Sequence, residues 1–411
     1  MSKSNRLTVW ILIAMVLGIV VGYAYRRQVA DTDSLKAFAE GLSVLTDIFL
    51  RLVKMIIAPL VFSTLVVGIA KLGDLRTVGR VGGRALAWFM SASLVSLLLG
   101  MLLVNVLHPG VGLHLSADTS GAQDVIGKTQ GFTLKTFIEH VFPKSIIESM
   151  ATNEVLQIVV FSIFFGVACA SIGDYAKPVV HFLESVAHVI LKMVGYVMNF
   201  APLGVFGAVA AVIALRGLGV LRTYAVYITE FYLGLAVLWA VLLLAGYAVL
   251  GGRMKELLRR IIQPITIAFS TTSSEAVMPK LMEELERFGC KDRVVSFVLP
   301  LGYSFNLDGS MMYMTFASLF IAQVYGIHMP LGAQLTMLLT LMLTSKGIAG
   351  EPRASLVVVA ATLGMFGVPV EGIALILPID HFCDMGRSAT NVLGNAVATS
   401  VVSKWEGDLS H

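Results

Sequence analysis

The chain has 411 residues, with 57% hydrophobic residues, 14% charged residues and a mean hydropathy of +0.83. Soluble domains carry about 25% charged residues, so this composition excludes an ordinary soluble enzyme or binding module and points to a polytopic membrane protein. The net charge of +4 forms no basic patch suited to nucleic acid, and Cys169, Cys290 and Cys383 show no disulfide or metal spacing.

A helix that crosses about 30 Å of hydrocarbon needs roughly 20 apolar residues. Segment one, Leu7 to Tyr25, is too long for a signal-peptide core and lacks a small-residue cleavage site, so it reads as a retained helix. Segment two runs from Leu42 to Leu72 around Pro59, and segment three from Ala85 to Leu107. A polar loop, "LHLSADTSGAQDVIGKTQG", follows as the expected excursion from the membrane. Broken apolar pieces up to about Ile172 make segment four. Segment five spans Val179 to Ile213 with an expected kink at Pro202, and segment six spans Tyr224 to Leu250.

Beyond Gly252 the apolar pieces shorten. "IIQPITIAFSTTSSEAVMPKLM" has two apolar arms around a polar tip, each too short to span hydrocarbon, which predicts a re-entrant helical hairpin. "LTMLLTLMLTSKGIAGEPRASLVVVAATLGMFG" repeats the design with the tip "SKGIAGEPRAS". Between them, "FVLPLGYSFNLDGSMMYMTFASLFIA" is a long span that should break at Asn306, Asp308 and Gly309. A last span follows from Asp380. The expected fold is an all-α polytopic membrane protein with eight transmembrane segments plus two re-entrant hairpins. Paired interrupted segments of this kind point to inverted repeats with a binding site near the membrane midplane. Lys3, Arg6, Lys71, Arg76, Arg80, Arg84, Arg253, Lys255, Arg259, Arg260 and Lys404 all fit the cytoplasmic side, and so a cytoplasmic N-terminus in a multi-pass cell-membrane protein. Arg26 and Arg27 then fall outside, against the trend, beside Asp31 and Asp33.

"DHFCDMGRSATN" places two aspartates, a histidine and an arginine inside an apolar span. On a helix, Asp380, Asp384, Arg387, Asn391 and Asn395 share one face. Such a row must face protein or a water-filled cavity. It either joins helices as buried ion pairs or binds a solute. For a solute, Arg387 offers a bidentate fork to a carboxylate, Asp384 accepts from an ammonium group, and Asn391 donates to a second carboxylate. An amino acid with two carboxylates, glutamate or aspartate, satisfies all three. In "NLDGS", Asn306 and Asp308 beside a helix break suit a sodium ion, with a kink around a satisfied aspartate as the alternative. His381 is either a packing residue or a proton carrier, given its near-neutral reference pKa. The methionines read as packing filler.

With these motifs, "STTSSEAVMP", "NLDGS", "SKGIAGEP" and "DMGRSATNVLGN" in this order, the chain closely resembles the dicarboxylate/amino acid:cation symporter family over nearly its whole length. The resemblance implies a secondary active symporter of elevator type, assembled as a homotrimer in the lipid bilayer. Residues 1–83 and 111–218 would form the scaffold, and residues 84–110 and 219–411 the transport domain. It implies a substrate site of Arg387, Asp384, Asn391, Ser388 and Ser310, with Ser273 and Ser274 of the first tip and Ala349 and Gly350 of the second. It further implies cation sites formed from Gly302, Ser304, Asn306, Asp308, Ser93, Ser345, Ile348, Asn391 and Asn395. Nothing implies a cofactor beyond co-transported H+ or Na+.

The family's four-carbon dicarboxylate carriers have a small polar residue where this chain has Asp384, so L-glutamate and L-aspartate are expected over succinate, malate or fumarate. Asn395 stands where sodium-dependent members have an aspartate, and Phe89 and Ala92 stand where they have a tyrosine and a threonine, which favours H+ over Na+. Met314 replaces the acidic residue found after the motif tyrosine, here Tyr313, in the animal transporters, so potassium counter-transport is not expected. Thr272 and His381 occupy the two positions where the family carries its tip arginine, which makes His381 a candidate proton-linked residue. An enzyme is not expected, since the sequence has neither an H-E-x-x-H nor a G-x-S-x-G motif, and its aspartates lack the setting of an intramembrane protease. Paired tips around a charged row also favour a transporter over a channel.

Overall fold

The computed structural model describes residues 3–29, 31–72, 75–111, 141–217, 224–345, 354–377 and 379–410. Those residues are almost wholly helical, and their one extended pairing is a single bridge between Cys290 and Leu409. Among the described residues, five continuous helical stretches are long and apolar enough to cross a membrane by length and composition: Val9–Gln28, Thr32–Ala70, Arg76–Leu107, Val155–Leu215 and Ala225–Thr271.

The first half packs long helices side by side. Helix α1 (Lys3–Gln28) lies on α7 (Ala201–Arg216), and α2 (Thr32–Leu72) touches α7, α5 (Val155–Ile172) and α6 (Lys177–Val197). Pro59 is accommodated inside α2. Segment four resolves into a short α4 (Ile146–Thr152) and α5. Segment five is two helices, α6 and α7, joined by a 3-10 turn at Met198–Phe200, with Pro202 in the first turn of α7 where its missing N–H costs nothing. Arg26 ends α1 by donating to the carbonyls of Ala214 (2.8 Å) and Leu215 (2.7 Å). A cation over the last carbonyls of α7 satisfies orphan acceptors and the helix dipole. That contact is a local reason for an arginine at this end of the segment.

Helix α3 (Leu75–Leu107) and α8 (Ala225–Leu250) introduce the second half. The first predicted hairpin is α9 (Met254–Thr271) and α10 (Met278–Phe288), packed on each other, with Thr272 in the left-handed region (φ 54°) at the turn. In α9, Leu257, Ile261, Ile265 and Ala268 recur every three or four residues and are buried, the stripe expected of a helix with one protein-facing side. The predicted broken span is α11 (Asp292–Phe305) and α12 (Asp308–Val324). The segments predicted as the second hairpin's arms are α13 (Leu331–Thr344) and α14 (Ala354–Met365), and the predicted tip, with Ile348, Ala349 and Gly350, lies outside the described residues. A short α15 (Ile373–Ile376) precedes α16 (Asp380–Trp405).

Helix α16 is the centre of this half. It touches α8, α9, α11, α12 and α3, and Gly386 through Ser403 are buried without interruption. Its polar row therefore faces protein rather than lipid.

Beyond α16 the chain folds back as a clasp. The buried carboxylate of Asp408 accepts from Lys291 Nζ (2.7 Å) and from Arg293 Nε (2.7 Å) and Nη2 (2.6 Å). Arg253 donates to the carbonyls of Phe288 and Ser410, both at 2.6 Å. Glu406 pairs with Arg80 (3.0 Å) and Arg84 (2.7 Å). The tail thus ties together α3, the α8–α9 junction, the α10–α11 corner and α16. Burial pushes the Asp408 carboxyl up, but hydrogen bonds from Arg293 and Lys291 outweigh it and hold the group below its ordinary value. A depressed folded pKa contributes stability that is present above the unfolded value and lost as pH falls through the folded one. Asp408→Asn is therefore expected to destabilise the protein by roughly 2 kcal/mol at pH 7. The difference in unfolding midpoint between variant and wild type should shrink below about pH 4. Thermal scans across pH check both.

Candidate functional site

The break between α11 and α12 builds one side of the site. Asn306 (φ −124°, ψ 65°) and Leu307 (φ −100°, ψ 66°) leave the helical region. The expected break at Asp308 and Gly309 is corrected by this: both belong to the first turn of α12. The physical reason lies in what each does there. Asp308 sits at the positive end of the α12 dipole, which favours a carboxylate. Gly309 faces the backbone of Arg387, and any Cβ would collide with the Arg387 carbonyl. The glycine sets the approach of two helices rather than the break.

Asn391 joins those helices. Its Oδ1 accepts the backbone N–H groups of Gly309 (2.9 Å) and Ser310 (3.3 Å), and its Nδ2 donates to Ser310 Oγ (3.1 Å). A side chain of α16 thus caps the N-terminus of α12, where backbone donors have no partner within the helix.

One turn back on α16 lies the charged group. Arg387 Nε donates to Asp384 Oδ1 at 2.6 Å, Arg387 Nη1 stands 3.7 Å from Asp380 Oδ1, and Ser388 Oγ donates to Asp384 Oδ1 at 3.3 Å. The side chain of Arg387 is 4% exposed and that of Asp384 20%, so Asp384 is the member nearer an opening. Tyr313 of α12 carries the Arg387 guanidinium 4.6 Å above its ring centroid and donates its hydroxyl to Asp380 Oδ1 at 2.8 Å. Arg387 Nη1 is buried and has no hydrogen-bond partner among the described residues. A buried guanidinium with a spare donor beside a more exposed carboxylate is equipped to exchange partners with a ligand that carries opposite charges.

A second cluster lies deeper. Asn306 Nδ2 donates to Asp308 Oδ2 (3.2 Å) and to Asn395 Oδ1 (3.4 Å), and Ser96 Oγ, whose hydrogen goes to the Ala92 carbonyl (2.8 Å), stands 3.5 Å from Asp308 Oδ1. Asn306, Asp308 and Asn395 are all buried. Gly394 and Gly302 make the cluster possible, since a Cβ on Gly394 would strike the Asp308 carboxylate and one on Gly302 the Asn395 amide. Asn306 Oδ1, Asn395 Nδ2 and Ser304 Oγ are buried with no partner among the described residues. Ser93 Oγ donates to the Phe305 carbonyl (3.3 Å), and the carbonyl of Gly302 is taken by the Asn306 N–H (2.7 Å). A buried set of oxygens around one carboxylate is the chemistry of a hard cation or a proton.

The structure brings Arg387, Asp384 and Ser388 together as the spacing predicts, and Asn391 with Ser310, and Asp308 with Asn306 and Asn395. Ser273 and Ser274 are engaged within their own tip: Ser273 Oγ accepts the Ala276 N–H (3.2 Å), and the Ser274 carbonyl accepts that of Val277 (3.3 Å). Ser345 Oγ donates to the Met342 carbonyl at 3.1 Å. His381 is half-buried with its ring 6.3 Å from and perpendicular to that of Phe382. Phe89 and Ala92 are buried. Tyr313 as the seat of Arg387, and Ser96 and Gly394 beside Asp308, were not singled out from sequence. A tyrosine inside an apolar span was the one available signal, since a buried hydroxyl needs a partner.

Comparison with known proteins gives a consistent result. The model of the sodium:dicarboxylate symporter family matches residues 7–405. A C4-dicarboxylate transport protein of Rhodospirillum rubrum is 44% identical over 409 residues, covering 98% of this chain and 89% of the relative. A proton/sodium-glutamate symport protein of Geobacillus stearothermophilus is 39% identical over 402 residues, covering 97% and 94%. A C4-dicarboxylate transport protein of Bacillus subtilis is 38% identical over 416 residues, covering 99% and 95%.

Proposed function

We propose that this chain, which belongs to the sodium:dicarboxylate symporter family, imports L-glutamate and L-aspartate together with cations, with H+ favoured over Na+. The family and its named relatives are membrane transporters and not enzymes.

The observation that carries the substrate reading is the Arg387–Asp384 pair at 2.6 Å with its unused Nη1 donor. A ligand that draws Arg387 away must leave Asp384 with a new cation, because an uncompensated carboxylate in a buried site costs several kcal/mol. An amino dicarboxylate supplies both halves of the exchange: its carboxylate goes to Arg387 and its ammonium to Asp384. A C4-dicarboxylate supplies only the first and brings a second negative charge towards Asp384. The names of relatives such as those of Rhodospirillum rubrum and Bacillus subtilis favour the C4-dicarboxylate as the alternative substrate. The glutamate symport protein of Geobacillus stearothermophilus favours the amino acid.

The coupling reading rests on the second cluster. A cation-binding pair of carboxylates is reduced here to Asp308 alone, with Asn306 supplying an N–H between Asp308 and Asn395. The Asn306 amide group already donates to both Asp308 Oδ2 and Asn395 Oδ1, so these oxygens are engaged without a sodium ion. Asp308 and His381 are the candidate proton-linked residues.

The eight-segment, two-hairpin reading, with the N-terminus cytoplasmic, belongs to the same proposal, as do the elevator motion and the homotrimer. Arms α9–α10 and α13–α14 act as re-entrant hairpins. Residues 84–110 and 219–411 move as the transport domain against a scaffold of residues 1–83 and 111–218. The pairs of Asp408 with Lys291 and Arg293, and of Glu406 with Arg84, support the first grouping. The packing of α1, α2, α5, α6 and α7 supports the second.

Uptake of labelled L-glutamate, L-aspartate and succinate into liposomes holding the purified protein tests this reading. Accumulation of the amino acids on an inward proton gradient alone is the expected result. Succinate uptake without amino acid uptake overturns the substrate reading, and uptake only on an inward Na+ gradient overturns the coupling reading.

A further inference from the structure

Helix α8 lies along the back of α16 and grips it at two points. Tyr232 Oη donates to the Phe382 carbonyl at 2.7 Å, and Trp239 Nε1 donates to Thr390 Oγ1 at 2.8 Å. The Thr390 hydroxyl hydrogen is already given to the Gly386 carbonyl (2.9 Å), so its lone pairs are free to receive the indole N–H. Midway between the two points is Gly386, where a Cβ would come within 2.6 Å of Leu235 Cδ1 and 3.0 Å of the Tyr232 ring. Phe231 of α8 also sets its edge against the ring of Tyr313 (5.7 Å, 79°), the ring that seats Arg387.

We propose that Tyr232 and Trp239 are positioning residues for solute binding. They set the rotation of α16 about its own axis and so aim Arg387 and Asp384. This inference rests on the reading that those two residues take the solute. Residues 382, 386 and 390 recur every four positions and form one stripe, and the row of 380, 384, 387 and 391 lies roughly a third of a turn away at 3.6 residues per turn. A rotation of α16 about its own axis therefore moves the charged row together with this stripe. Inside a bilayer apolar surfaces give helices little preference for one rotation over another, because lipid is as apolar as the side chains, whereas directional hydrogen bonds do. Two such bonds eight residues apart on α16, about 12 Å along its axis, fix tilt as well as rotation. Neither Tyr232 nor Trp239 contributes charge, and neither needs to touch the solute.

The test measures Kd, maximal uptake rate and unfolding midpoint for Tyr232→Phe, Trp239→Phe, their double variant, Thr390→Val and the combination of Trp239→Phe with Thr390→Val. Glutamate, aspartate and succinate are assayed side by side, and Arg387→Lys is the control. The double variant is expected to weaken Kd for the transported solute about tenfold while the maximal rate stays within about twofold. A merely structural role would lower the midpoint and the number of active sites and leave Kd unchanged, which overturns the inference. Trp239→Phe and Thr390→Val are expected to weaken Kd each, and no further in combination, because they break the same bond; additive effects overturn it. The control separates the two levels of the reading. If Arg387→Lys binds as wild type, the site assignment itself fails. If Arg387→Lys loses binding while the α8 variants keep it, only the positioning role fails.

Discussion

Asp384→Ser is expected to reverse the order of substrates. In wild type the Asp384 carboxylate lies 2.6 Å from Arg387 Nε and is the more exposed of the two side chains. A bound amino acid presents its ammonium group there, and a charge-assisted hydrogen bond in a partly buried site contributes about 2–3 kcal/mol. Its loss should weaken glutamate or aspartate binding roughly 50–100-fold. The same substitution removes the negative charge that opposes a second carboxylate and frees Nε of Arg387 as a further donor. Succinate binding should strengthen by about tenfold or more as a result. Competition of unlabelled succinate against labelled aspartate, in wild type and variant, reads both effects in one assay. If aspartate and succinate shift by the same factor, Asp384 does not hold the amine, and the C4-dicarboxylate becomes the favoured substrate. Asp384→Asn separates charge from shape, and should lose the amino acid as serine does.

Asn395→Asp is expected to make uptake depend on Na+. The substitution places a second carboxylate beside the amide of Asn306, which already stands 3.2 Å from Asp308 Oδ2 and 3.4 Å from Asn395 Oδ1. Two buried carboxylates sharing one amide cannot both stay charged without a cation, since the repulsion and desolvation together amount to several kcal/mol. Sodium then has two anionic ligands and the spare carbonyl oxygen of Asn306. Raising Na+ at fixed pH should stimulate the variant about tenfold or more while wild type changes little. The rival outcome is a variant that remains indifferent to Na+ and shifts its pH dependence upward, because one carboxylate of the pair takes a proton instead. That outcome would place a proton, and not a sodium ion, in this cluster for wild type and variant alike.

The charged row on α16 was legible from sequence because it is a property of one helix. Positions 380, 384, 387, 391 and 395 share a face whatever surrounds them, and the structure finds their side chains together with α12 as that spacing implies. The helices α9 and α10 and the broken pair α11–α12 were legible for a similar reason. Short apolar runs interrupted by polar residues report their own ends. The break was placed correctly at Asn306 but carried on through Asp308 and Gly309, because a glycine serves equally to unwind a helix and to let another backbone approach. Only the neighbour, here the Arg387 carbonyl, distinguishes the two uses of Gly309.

Sequence by itself determined that this chain is helical and apolar enough for the membrane, which side chains line its polar stripe, and through its motifs which family it belongs to. Each of those follows from spacing along one segment or from the order of segments. The tertiary structure alone decided that Tyr313 seats Arg387, that the amide of Asn306 stands between Asp308 and Asn395, that Asn391 caps α12, and that Tyr232 and Trp239 grip α16 from behind. It also decided that Asp408 gathers Lys291 and Arg293 from more than a hundred residues away. These pairs depend on the register and rotation of helices remote in sequence. Register is set by close approach at glycines and by the need of every buried polar group for a partner, and neither condition is written in the periodicity of any one segment.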